Sequence, residues 1–264
     1  MDNSNEVSDL KPNTLRTIAV MNSKGGSGKT TITTNLANFY ASRDLKTLIV
    51  DHDAQGSSSQ WQKRRTTDQP TIEITEAYRQ PTNYTRSWLM RVPLGTQRVL
   101  IDTPAGIDIH QMESIAKRAD IVLIPVLPSP IDIEAVGQFI QRLSKSTWIK
   151  TGQTRLAVVA NRVRYQTRVY DKLENYLRSL DIPFITSLRD TQNYIHASEL
   201  GTGIHNLTKN NAQRDMQQWQ ELINWIEQKK SDNDNQTMLV NHRMQRPERP
   251  GTVPQLFNES GQFH

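Results

Sequence analysis

Ser23-Lys24-Gly25-Gly26-Ser27-Gly28-Lys29-Thr30 is the stretch on which the fold turns. A phosphate-binding loop reads G-x-x-x-x-G-K-[ST]: backbone amides cradle the phosphates, the lysine reaches the β and γ oxygens, and the hydroxyl binds Mg²⁺. Gly28, Lys29 and Thr30 fill the last three places, Ser23 stands in the first, and Lys24 follows it. One lysine is enough to hold a triphosphate in a loop of this length, so the second needs a different task. Before the loop, Thr17-Ile18-Ala19-Val20-Met21 is a short apolar run that reads as a buried strand. After it, Ile32, Leu36, Phe39 and Tyr40 recur at helical spacing. The loop amides and the positive end of that helix therefore face the same phosphates.

Further apolar runs follow at 46–51, 71–74, 97–102, 120–127, 156–161 and 182–185, with helical patterns among them. Two of these strands end in carboxylates, Asp51 and Asp102, and His52-Asp53-Ala54-Gln55-Gly56 comes after the first. The alternation predicts an α/β fold: a doubly wound, mainly parallel sheet flanked by helices, with ligands beyond the carboxyl ends of the strands. Read alone, Asp51 and Asp53 serve equally as caps of a helix starting near Ala54, and Asn161 equally as the end of its strand. Pro128-Ser129-Pro130 closes the 120–127 strand, and a helix begins near Ile131. A last helix, about Ala212 to Lys230, carries Met216, Trp219, Leu222, Ile223 and Ile226 on one face, a stripe that reads as core packing.

The chain has 264 residues, which the single βα alternation organises as one domain, 15–230. Residues 1–14 and 231–264 are polar, with few large apolar side chains, and are expected to be flexible tails. The absence of cysteine excludes disulfides, thiolate metal sites and cysteine-ligated iron–sulfur clusters. With no apolar run of membrane-spanning length and no signal peptide, a cytoplasmic location is expected. A net charge of +5 and a pI near 9.4 permit contact with nucleic acid.

The S-K-G-G-x-G-K-T loop resembles the deviant Walker A loop of the ParA/MinD family of P-loop ATPases. D-x-D-x-Q-G at 51–56 is similar to that family's second motif, and D-T-P-A-G at 102–106 to its Walker B strand. The resemblance runs from Thr17 to Ile204, and only the double-lysine loop is specific by itself. It implies an ATPase with ATP and Mg²⁺ as cofactors. Gly25, Gly26, Ser27, Gly28, Lys29, Thr30 and Thr31 would hold the phosphates, and Asn161 the adenine. Thr30, Asp51 and Asp102 would hold the Mg²⁺ shell, and Asp53 would orient the attacking water. Lys24 would reach the partner's nucleotide in an ATP-dependent homodimer.

What such a switch serves lies outside the loop. ParA-type members bind DNA non-specifically as ATP dimers and are released by a cargo-bound partner that stimulates hydrolysis. Between Arg142 and Arg189 ten basic residues stand against Asp171, Glu174 and Asp181, the cationic excess that phosphate-backbone binding needs. A solvated helix face would look similar. Arg164, Arg168 and Arg189 are the candidate contacts, which would make the protein nucleoid-associated. Only a dozen polar residues precede the first strand, so no helix-turn-helix for operator-specific repression is expected. The rival is a MinD-like membrane ATPase, which needs a C-terminal basic amphipathic helix. Thr237-Met238-Leu239-Val240 is too short for one, and Pro247, Pro250 and Pro254 follow it. No membrane partner is expected. A nitrogenase-reductase-like role lacks its cysteines, and a small-molecule ligase of related fold has no evident use for Lys24. The cargo is a plasmid, a chromosome or a protein organelle such as the carboxysome, with a ParB-like or McdB-like activator accordingly.

Overall fold

The computed structural model describes residues 14–79 and 92–228. The expected tails, Thr14 apart, and the 237–240 segment lie outside the described residues, as do 80–91 of the connection between the second and third motif strands.

The chain alternates strand and helix: β1 Arg16–Val20, α1 Lys29–Ala41, β2 Thr47–Asp51, α2 Ser57–Lys63, β3 Ile72–Glu76, β4 Arg98–Asp102, α3 Ile109–Ala116, β5 Ile121–Val126 and α4 Pro130–Ser144. Then come α5 Thr147–Lys150, β6 Arg155–Val163, α6 Arg168–Ser179, β7 Phe184–Arg189, α7 Asn193–Glu199 and α8 Lys209–Glu227. The seven strands form one sheet in the order β3-β2-β4-β1-β5-β6-β7, and every pairing is parallel.

Parallel strands covered on both faces must be apolar on both, and they are. Ile18, Val20, Ile49, Leu100, Leu123 and Val159 face α1, Trp61 of α2 and the Trp219–Ile226 stripe of α8. Ala19, Val50, Ile101, Val122, Ile124 and Val158 face α3, α4 and α6. The α8 stripe is core, as its spacing predicts. The loop after β1 leaves the sheet between β4 and β5, where the direction of strand addition reverses, and ligands bind at such a reversal.

Several boundaries differ from the sequence expectations, among them α8, which runs from Lys209 to Glu227, and three have a visible physical setting. The last strand starts at Phe184 instead of Ile182, because Pro183 has no N–H to donate and serves only through its carbonyl, which accepts from Val158 N at 2.9 Å. β6 continues past Asn161 to Val163 through a register irregularity at which Arg162 takes a left-handed φ of 52°. α2 begins at Ser57 and not near Ala54, with Gly56 as its N-cap residue; Asp51 accepts a first-turn N–H of this helix, that of Ser59, at 3.1 Å.

Candidate functional site

The loop between β1 and α1 is braced from three sides. Asn22, 2 % exposed, donates from Nδ2 to Pro125 O at 2.7 Å and accepts Lys24 N at 2.9 Å. Gly106 N donates to Ser23 O at 3.0 Å, tying the loop to the turn after β4. Asn161 Nδ2 donates to Ser27 O at 2.8 Å, and its own Oδ1 accepts Arg162 N at 3.0 Å. Gly28 is both the N-cap of α1 and left-handed at φ 91°; a Cβ there would stand 2.0 Å from Asn161 Nδ2. Asn161 is thus a strut beneath the loop, a role beyond simple strand termination.

The two lysines point to different places. Lys29 is 6 % exposed and turns inward, where its ammonium donates to Lys24 O at 3.2 Å. Burial lowers its pKa, opposed by the charges of Asp102 and Asp53. Lys24 is exposed. The exposed second lysine is free of the burial that ties Lys29 to the loop.

β2 and β4 pair with Asp51 opposite Asp102, which sets two carboxylates side by side at the strand ends. Both are fully buried. Asp51 accepts Asp53 N at 3.0 Å on Oδ1, and Ser59 N and Oγ at 3.1 and 2.8 Å on Oδ2. Asp102 accepts Thr30 Oγ at 2.8 Å and Ser58 Oγ at 2.6 Å, both on Oδ2. Its Oδ1 is buried without a partner, and burial raises the carboxyl to a pKa of about 7. Burial likewise raises Asp51. Asp53 is half-buried, and its Oδ1 accepts Gln55 N at 2.9 Å. His52 is held neutral by burial, with a pKa of about 4.

An unpartnered buried carboxylate oxygen beside a threonine hydroxyl suits a hard divalent cation that keeps part of its water shell. Among the described residues no three His, Asp or Glu side chains cluster tightly enough to cage a metal alone, so phosphates and water would complete the shell. Beside Thr30 and Thr31 a cleft of about 220 Å³ opens between α1, α2 and α7, lined mainly by hydroxyls and amides with Arg64 at its edge.

The expected DNA contacts are less uniform. Arg168 is exposed at the start of α6. Arg164, its side chain 79 % exposed, lies beside Asp190 at 2.9 Å. Arg189 differs in its setting: its guanidinium grips the fully buried Asp215 through Nε and Nη2, the latter at 3.0 Å, with its side chain 29 % exposed.

Sequence reading missed Asn22, Ser58 and Ser59. Only the run Ser57-Ser58-Ser59, placed directly after an acidic loop, carried a signal that could have been used.

A glycine-rich loop running into a helix, paired carboxylates at strand ends and a parallel sheet that reverses at the loop define a P-loop nucleotide-binding protein. Residues 18–204 match the CobQ/CobB/MinD/ParA nucleotide binding domain, and the chain belongs to that family. It is 34 % identical over 127 residues to a maintenance of carboxysome distribution protein A from Gloeobacter kilaueensis, a match of 48 % of this chain and 56 % of that protein. The chain thus spans little more than half of that relative. The protein of the same description from Halothiobacillus neapolitanus is 28 % identical over 200 residues, 75 % of this chain and 90 % of its own. The solved structure of apo McdA from Cyanothece superposes with a TM-score of 0.63 at 14 % identity, covering 79 % of this chain and 99 % of that one.

Proposed function

We propose that this chain is an ATP-hydrolysing positioning switch. ATP and Mg²⁺ bind at the loop, and two copies close over their nucleotides with Lys24 of each reaching the other's phosphates. The ATP dimer binds DNA without sequence preference, and a cargo-bound partner triggers hydrolysis and release. The observation that carries this reading is the division between an inward Lys29 and an exposed Lys24 on one loop. Similarity to carboxysome distribution proteins favours a carboxysome or similar assembly as cargo over a plasmid.

In this reading Lys29 and the loop amides hold the β and γ phosphates. Thr30 and Asp102 hold the cation, with Asp51 beside them, and Asp53 orients the water that attacks the γ phosphorus as ADP departs. Mg²⁺ would neutralise charge developing on the phosphate oxygens. Phosphoryl transfer depends on positioning and charge stabilisation, so withholding Lys24 keeps the monomer slow.

The test is binding to non-specific duplex DNA with ATP, ADP or no nucleotide, at two salt concentrations, with Lys24→Ala alongside and light scattering for mass. Binding and doubled mass that require ATP, with binding weakened by salt and both lost in Lys24→Ala, are expected. DNA binding that ignores nucleotide, or an unchanged mass with ATP, overturns the switch.

A further inference from the structure

The first turn of α2 does something that phosphate binding alone does not ask of it. Ser58 donates to Asp102 and Ser59 donates twice to Asp51, so one turn of helix supplies hydroxyls to carboxylates on two neighbouring strands. Ser58 and Ser59 are 0 % and 3 % exposed. The helix is anchored at its other end: Trp61 Nε1 donates to Thr202 O at 3.1 Å, and Arg65 Nη1 to Gly201 O at 2.8 Å. These donors are therefore fixed from behind.

A carboxylate offers about four acceptor positions on its two oxygens. On Asp102, Thr30 and Ser58 take both positions of Oδ2, and Oδ1 is left buried and unpartnered. With its proton directed to Asp102, the Thr30 hydroxyl turns its lone pairs elsewhere. Ser58 and Thr30 together occupy one carboxylate oxygen and leave the other open.

We propose that Ser58 and Ser59 are positioning residues for the divalent cation that accompanies the nucleotide, acting through Asp102 and Asp51 and touching neither metal nor phosphate. Ser58 presents Asp102 Oδ1 to the water shell of the cation, and Ser59 holds Asp51 in one rotamer beside it. The inference rests on the nucleotide reading above. A purely packing role would be served by any small side chain at these positions. A positioning role requires a donor, and it predicts an effect confined to the metal-dependent part of binding.

The experiment titrates Mg²⁺ against the binding of a fluorescent ADP analogue, and repeats it in EDTA, for wild type, Ser58→Ala and Ser58→Thr. The Mg²⁺ concentration at half-saturation is expected to rise at least about tenfold in Ser58→Ala, the usual loss when a partner of a metal-bound group is removed. Ser58→Thr restores it, and affinity in EDTA stays at the wild-type level. Should the alanine variant not fold, Ser58→Cys keeps the volume with a weaker donor and carries the same expectation. An unchanged Mg²⁺ dependence in the alanine or cysteine variant overturns the inference, as does an equal loss of affinity with and without Mg²⁺. A wild-type protein that binds no nucleotide in either condition overturns the nucleotide reading itself.

Discussion

Asn161 lies so close to Gly28 that no side chain fits at Gly28. A methyl at Gly28 meets the Asn161 amide and demands a left-handed φ of 91° from an L residue. Removing the Asn161 amide leaves Ser27 O, inside the loop, without its donor. An unmet buried acceptor costs about 1–3 kcal/mol, so Asn161→Ala is expected to lower the melting temperature of nucleotide-free protein by several degrees. A side chain serving only the adenine would leave that temperature unchanged and alter only the preference for ATP over GTP. The strut was not legible in the sequence, because it depends on the bulge at Arg162 that turns Asn161 under a loop 134 residues away. The lysines and carboxylates were legible because their roles depend on local spacing and on strand ends. His205 is a second case visible only in three dimensions. Its ring packs 4.8 Å from Phe39, both nitrogens lack partners, and burial, with the charge of Arg43, depresses its pKa to about 3. The unfolded chain takes up this proton below pH 6.5 while the folded one does not. Its contribution to stability is therefore complete above pH 6.5 and is lost as pH falls toward 3, with a slope of up to about 1.4 kcal/mol per pH unit. His52, with a pKa of about 4, adds to that slope and Asp102, at about 7, opposes it, so the difference in urea-unfolding stability between wild type and His205→Leu across pH 4–7 should carry the His205 slope.

Elements are held by contacts that periodicity does not reveal. The apolar stripe of α8 reads correctly as core, yet the end of the helix is fixed by charge. Arg16 and Arg98, at the starts of β1 and β4, both pair with Glu227 at 2.9 Å, and Tyr40 donates to the same carboxylate at 2.7 Å. Arg155, at the start of β6, donates to the carbonyls of Trp225 and Gln228 and lies over the Trp225 ring. In the sequence Arg155 counts toward a basic, DNA-facing stretch; in the fold it caps the negative end of a helix. Arg98 is 1 % exposed, so removing its partner would strand a buried cation. Glu227→Ala is expected to destabilise the protein by about 3–5 kcal/mol, read as a fall in the denaturant midpoint. A loss below about 1 kcal/mol would place this cluster with ordinary surface pairs.

At the scale of the whole molecule, the basic residues of 142–189 separate into those the fold uses and those it displays. Arg142 and Arg178 lie beside Glu113 and Glu174, Arg155 caps α8, and Arg189 grips Asp215. Arg162, Arg168 and Lys172 are exposed around the end of β6 and the start of α6, and so is Arg164, whose pairing with Asp190 leaves its side chain 79 % exposed. A face that binds DNA through phosphates loses counterions in proportion to the contacts it makes, so each true contact removed lowers the slope of log affinity against log salt by about 0.9. Arg164→Ala with Arg168→Ala is expected to reduce that slope by nearly two units for the ATP form while leaving the melting temperature within a degree or so of wild type. Arg189→Ala should do the reverse. Asp215 is fully buried and, among the described residues, would keep only Asn193, at 2.7 Å, as a side-chain donor, so stability falls while the slope holds. A slope that drops with Arg189→Ala at unchanged stability would mean that Asp215 does not hold the guanidinium in solution, and the DNA-binding face would then extend across β7.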